Sequence, residues 1–385
     1  ADLKTIGNGF FTNYGYVCIT ASIGCSNITF VNQEDATFVF GAGSGVWHTG
    51  GGAGPTTFTN NGILRKTGNS ISSLYKLNTT NNGTIEVQEG TLKYDTSSFN
   101  NNSQVNVLSG TLNLHSSSGS GAGNYYLADN TVLLLSNNHA LTCQDGVQIQ
   151  GTGEIQLVSS GGLYTGGSID GLSIAETIHI YQTGGKLGGS GRLNFNGTHI
   201  WTGGDTSVGN YYLGEDGLLI VSTTDTKRLT NGSFHNYGTV QVSGSLGAGS
   251  LNFYNYAGAE LQIQGSFSMW HTGGGSAYPS LHNNGLIRKN GEETATFDVM
   301  YLNNYANLVL EQGTLTFYCA GSAHYNQAGS GARYHLAGKM VFRYGNLSTN
   351  HVGITLDGPL AEIRDHNNNN ILASCTGTSA SGSFT

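Results

Sequence analysis

The chain has three tryptophans, and each opens the same short phrase. Trp47, Trp201 and Trp270 lead into Thr-Gly-Gly, with His48 and His271 inserted in the first and last copies. An imidazole beside an indole and a glycine pair is a candidate for ligand or metal chemistry. The middle copy, Ile200-Trp201-Thr202, lacks the His, so the phrase survives without it. We therefore read it as a packed Trp next to a Gly-rich corner.

Other reactive groups are sparse. Polysaccharide lyases and hydrolases need clustered carboxylates, or a basic residue beside them, on one outer surface. The nearest acidic pairs, Glu34-Asp35, Glu215-Asp216 and Glu292-Glu293, are adjacent in turn-like sequence. Neighbouring strand residues point to opposite faces, so such pairs make poor acid–base partners. A polysaccharide-degrading enzyme is thus a minor alternative, and no cofactor is called for. Gly119-Ser-Gly-Ala-Gly123 and Gly185-Lys-Leu-Gly-Gly189 lack the Gly-Lys-Ser/Thr continuation and helical pattern of a phosphate loop. No CxxC pair supports zinc or a redox motif. Cys18 and Cys25 are close enough in sequence to bridge. Asn-x-Ser/Thr acceptors begin at Asn27, Asn78, Asn82, Asn101, Asn196, Asn231 and Asn346, about the number that so much Asn, Ser and Thr gives by chance.

The elements that position these residues follow from composition and repetition. The 385 residues include 60 Gly, 39 Asn and 3 Pro, and 10% are charged. Gly and Asn disfavour helix interiors. Aromatics at 10% and the absence of a three-residue Gly period argue against disorder and collagen. A net charge of −8 with no basic stripe argues against nucleic acid or an anionic membrane as partner. The longest apolar run, Val132-Leu133-Leu134-Leu135, is too short for membrane insertion. The start at Ala1, without Met, is read as a trimmed form.

A unit of an apolar residue, a variable one, Asn, Asn or Tyr, then Gly or Ala recurs along the chain. Its copies centre on Asn13, Asn60, Asn81, Asn236, Asn255 and Asn283, with a looser one at Asn304. Alternating strand-like sequence follows most of them, as in Thr84-Ile85-Glu86-Val87. A second unit, Gly-Thr-apolar-x-apolar, starts at Gly90, Gly110 and Gly313. At a larger scale, residues 46–94 recur as 269–317 at an offset of 223, matching Asn60 with Asn283 and Arg65-Lys66 with Arg288-Lys289.

A repeat of about 20–25 residues cannot bury an apolar face alone, but stacked repeats pair backbone with both neighbours and continue one core. Asn tolerates the left-handed corner, and its side chains can hydrogen-bond along a stack. The reading is all-β: a right-handed parallel β-helix, or β-solenoid, forming one elongated domain over 1–385. Roughly 15–18 rungs at ~4.8 Å each are expected. Phe11, Phe58, Phe234 and Phe253 are expected to stack inside it, and one Tyr of each pair 125–126 and 211–212 to face outward.

The run 81–92, the Gly-Thr-Leu-Asn-Leu block at 110–114 and the Trp-Thr-Gly-Gly unit at 201–204 resemble repeats of secreted β-solenoid proteins. These include autotransporter-passenger-like surface proteins of bacteria. The Phe-Thr-Asn-Asn-Gly motif is similar to repeats of fungal cell-wall adhesin domains. The resemblance implies a secreted or cell-surface location and a surface or structural role. Strand-like sequence continues nearly to the end, leaving little chain for caps. The leading expectation is a non-catalytic structural protein that self-associates end to end as a fibre or filament. The alternative is an adhesin that binds glycans through exposed Tyr and Trp.

Overall fold

A computed structural model describes residues 4–50, 56–115, 118–167, 170–222, 227–272, 277–318, 325–328, 332–343, 346–349, 352–365, 370–374 and 379–384. Its regular elements are all strands, with no helix among the described residues. The chain divides into two compact units, Ala1–Gly197 and Thr198–Thr385, which together hold about 15 turns of a β-solenoid.

In the first unit most coils contribute three strands, while Lys4–Asn13, Ile23–Asn32 and His179–Phe195 run on across corners. Thr57–Asn60, Ile63–Lys66 and Ile71–Tyr75 make one coil, and Asn78–Asn81, Thr84–Val87 and Thr91–Asp95 make the next. Each strand pairs in parallel with its counterpart one coil on: Thr57 with Asn78, Ile63 with Thr84, Ile71 with Thr91. Three sheet faces result, called first, second and third in that order. Strict alternation sets which residues line the core. Phe58 and Asn60 point inward while Thr57 and Thr59 point outward. The corner glycines have a steric reason to be there: a Cβ on Gly83 would lie 2.1 Å from the Gly62 carbonyl oxygen of the preceding coil.

The inward aromatic stack runs Phe11–Phe30–Phe58 in the first unit, with centroids 5.6 and 5.9 Å apart. In the second it runs Tyr211–Phe234–Phe253, at 4.8 and 4.9 Å. Tyr125 and Tyr211 are buried, whereas Tyr126 and Tyr212 turn outward.

The internal duplication is visible in the backbone. Left-handed conformations recur at the 223-residue offset in Asn8 and Asn231, Asn27 and Ser250, and Lys76 and Val299. Lys4–Asn13 pairs with Ile23–Asn32 in the same register as Lys227–Asn236 with Leu246–Asn255. The repeat therefore begins well before residue 46.

The end of the second unit departs from the parallel pattern. Asn370–Ser374 lies antiparallel to Glu362–Asp365, and Ser379–Phe384 antiparallel to Val352–Asp357. The strand-like sequence there reverses direction and covers two strand edges, instead of continuing the coils as expected.

Candidate binding surface

The repeated asparagines face inward and form ladders. Asn13 donates through Nδ2 to Asn32 Oδ1 at 2.8 Å, Asn32 to Asn60 at 2.7 Å, Asn60 to Asn81 at 2.7 Å and Asn81 to Asn101 at 2.8 Å. The second unit repeats this as Asn236 to Asn255 at 2.8 Å, Asn255 to Asn283 at 2.7 Å and Asn283 to Asn304 at 2.6 Å. Most also tie their corner to the second face, as when Asn60 Nδ2 donates to the Thr84 carbonyl at 3.1 Å. A buried primary amide needs several partners, and the stack supplies them. These residues hold the coil; Asn304, at the end of the second ladder, keeps a buried Nδ2 without a hydrogen-bond partner among the described residues.

Asn32 belongs to the first ladder although no Asn-Gly phrase marks it. Asn101 ends that ladder and is 1% exposed, hydrogen-bonded to the Tyr125 phenol from the next coil. The Asn101 sequon is therefore not an accessible glycan acceptor: its amide is consumed in the core. Asn82 and Asn231 are exposed, Asn27, Asn78 and Asn196 are half-buried, and the Asn346 side chain lies outside the described residues. Asn82 itself joins a surface ladder, with Oδ1 accepting from Asn102 and Nδ2 donating to Asn61, both at 3.0 Å.

Cys18 and Cys25 are both free thiols, so the bridge allowed by their spacing is not formed. Cys18 points outward from Tyr16–Ile19, while Cys25 is buried and donates to the Trp47 carbonyl at 3.2 Å. Burial pushes the Cys25 thiol pKa up, chiefly through desolvation.

The tryptophans do not share one environment. Trp201 is 1% exposed, and its indole N–H donates to the Gly203 and Gly204 carbonyls at 3.0 and 3.1 Å. Trp47 is 44% exposed, which corrects the packed-corner expectation for that copy; Trp270 is half-buried. The inserted histidines serve local contacts: His48 Nδ1 lies 3.0 Å from Thr56 Oγ1, and His271 meets Tyr278 edge-on at 5.1 Å. Among the described residues no group of three or more His, Cys, Asp or Glu could hold a metal ion.

Register assembles a surface that spacing did not reveal. On the third face, Trp47 pairs with Tyr75, Tyr75 with Asp95 and Asp95 with His115, all outward in successive coils. The Trp47 and Tyr75 rings are 5.6 Å apart and tilted by 45°. Lys76 Nζ sits 5.1 Å from the Tyr75 ring. Asp95 Oδ2 meets Lys93 Nζ at 3.1 Å and His115 Nδ1 at 3.3 Å. In the second unit the equivalent row is Trp270, Asp298, Tyr318. Both rows hold one Trp, one Tyr and one Asp, with Tyr and Asp exchanged between positions 223 residues apart.

The second unit also bears an aromatic file on its first face. Tyr212, His235, Tyr254 and His282 stack at centroid distances of 4.2, 5.2 and 4.8 Å, with planes within 18° of parallel. Tyr237 and Tyr256 stack beside it at 4.3 Å. Within these stacks each ring covers its neighbour's face, so mainly edges meet solvent. Trp47 presents far more aromatic surface.

Comparison with protein-family models, curated proteins and solved structures finds no match.

Proposed function

We propose that this chain is a non-catalytic structural protein of the cell exterior that attaches to carbohydrate through its outward Trp, Tyr and Asp rows. The observation that carries this reading is the Trp47–Tyr75–Asp95 row and its counterpart Trp270–Asp298–Tyr318. An exposed indole offers an electron-rich face to the C–H side of a pyranose ring. The phenol beside it can donate to or accept from sugar hydroxyls, and the carboxylate accepts from them. The inner ladders serve this use by fixing the spacing of the outward side chains.

End-to-end assembly into a fibre is the second use. The antiparallel strands at 370–374 and 379–384 weigh against growth by parallel addition to the strands they cover.

A glycan array with the full chain tests attachment. Specific, saturable binding is expected, weakened about tenfold by Trp47→Ala, which is ~1.4 kcal/mol. The unfolding midpoint of that variant should match the parent. An array with no bound glycan, together with ordered fibres in electron micrographs, would transfer the assignment to the filament.

A further inference from the structure

We infer that the ligand of the Trp rows is an uncharged linear polysaccharide lying along the coil-stacking direction, one sugar unit per coil. This rests on the carbohydrate-attachment reading and specifies its ligand. Adjacent strands stand ~4.8 Å apart, close to the length of one pyranose in an extended chain. Trp47, Tyr75, Asp95 and His115 occupy one outward row in successive coils. A polymer running along that row meets a ring face, a phenol, a carboxylate and an imidazole in turn. A polymer running across the coils meets the Trp row once and then crosses a corner.

Charge chooses among polysaccharides. Asp95 is offset by Lys93 at 3.1 Å and faces His115 at 3.3 Å, so no lone acid waits for a cationic sugar. The Asp95–Lys93 pair is neutral as a unit, so it offers no net charge to a uronate carboxylate either. A neutral hydroxylated chain needs no counter-charge and can hydrogen-bond each group.

The exchange of Tyr and Asp gives the inference its test. The carboxylate stands two coils from the indole in the first row and one coil from it in the second. Three sugar units are needed to touch both Trp47 and Asp95, and two to touch both Trp270 and Asp298. Calorimetric titration of the full chain with neutral β-1,4-linked glucose and N-acetylglucosamine oligomers of one to four units reads this directly. Affinity should rise stepwise to four units, the fourth reaching His115. Asp95→Asn should weaken the trisaccharide severalfold and leave the disaccharide unchanged, while Asp298→Asn should weaken both. Tyr75→Phe, which keeps the ring, checks that a loss follows a removed polar group and not a misfolded row.

Equal affinity for one and four units, or tighter binding of oligogalacturonate than of neutral oligomers, would overturn the axial neutral ligand while leaving attachment to sugars standing. Absence of binding to every oligomer and to the array would instead overturn the attachment reading itself.

Discussion

Two stretches of the molecule, 13–81 and 236–304, share their inward ladder asparagines and differ in the outward residue beside each of them. Asn13, Asn32, Asn60 and Asn81 are matched by Asn236, Asn255, Asn283 and Asn304, with the same intervals of 19, 28 and 21 residues. The residues just before them are Thr12, Val31, Thr59 and Thr80 in one stretch and His235, Tyr254, His282 and Asn303 in the other. The contrast has a physical cause. Removing one buried amide from a ladder strands its neighbours, whereas an outward residue can change without unsettling the coil. The asparagine ladder is therefore kept in both copies, while the outward residues beside it differ.

The largest effect should come from cutting a ladder. Asn60→Ala deprives Asn32 of an acceptor and Asn81 of a donor, and Asn283→Ala does the same to Asn255 and Asn304. The two neighbouring amides left short, at ~1–3 kcal/mol each, already put the loss at about 4 kcal/mol. Hydrogen exchange should show where it falls: lost protection within 4–197 for Asn60→Ala, and within 198–384 for Asn283→Ala. Equal loss in both units from either change would mean that the two ladders belong to one cooperative block, and the comparison would have to be redrawn.

What could be read from the sequence follows the same division. Asn60, Asn81 and Asn283 were visible because a corner Asn-Asn-Gly has a local signature. Asn32 was not, because its corner runs Asn32-Gln-Glu-Asp35-Ala, with the left-handed residue supplied by Asp35 at φ 62°. Asn101-Asn-Ser103 matched a glycan acceptor, and only burial shows that the amide is used internally. The Trp rows needed register across coils of unequal length, from Trp47 to Tyr75 and then to Asp95. The exchange of Tyr75 for Asp298 also hid that row from a search for identical residues. Alternation reports that 370–374 is a strand but not the direction in which it pairs.

Acid should separate the units next. His139, in the first unit, is fully buried, and desolvation, with a smaller contribution from His115, lowers its pKa to about 4. His199, in the second, is buried beside Trp201 with Nδ1 3.2 Å from Tyr211 Oη, and desolvation lowers its pKa to about 3. An unfolded histidine titrates near ~6.5. Between that value and the folded one, the unfolded chain binds a proton that the native chain does not. Stability is therefore complete above pH ~6.5 and declines as pH falls, on the order of 3 kcal/mol per site. The decline contributed by His199 extends to lower pH than that of His139. His139→Gln and His199→Gln should each flatten the pH dependence of the melting midpoint. An unchanged slope in either would mean that another group governs acid unfolding of that unit.

The smallest effect concerns a feature that both units share, though not in full. Lys66 and Lys289 are entirely buried at inward positions, an unusual place for an ammonium. Lys66 Nζ donates to the carbonyls of Thr67 at 2.7 Å, Gly68, and Glu89 of the next coil at 3.2 Å. Lys289 Nζ donates to Asn290 and Gly291, both at 2.7 Å and both in its own turn. Desolvation lowers both pKa values, partly opposed by Glu89 and Glu293. A Lys whose folded pKa lies below its unfolded value gains stability as pH rises from the folded pKa to ~10.4. Methionine of similar shape removes the hydrogen bonds and the desolvation penalty together, so the net cost is about 1 kcal/mol. Lys66→Met should cost more than Lys289→Met in denaturant titrations at neutral pH, because it also severs a bond between coils, and both should lose the alkaline gain. Equal costs would mean that the Glu89 contact adds nothing to coil stacking, and that the turn carbonyls alone account for a lysine at this position in both units.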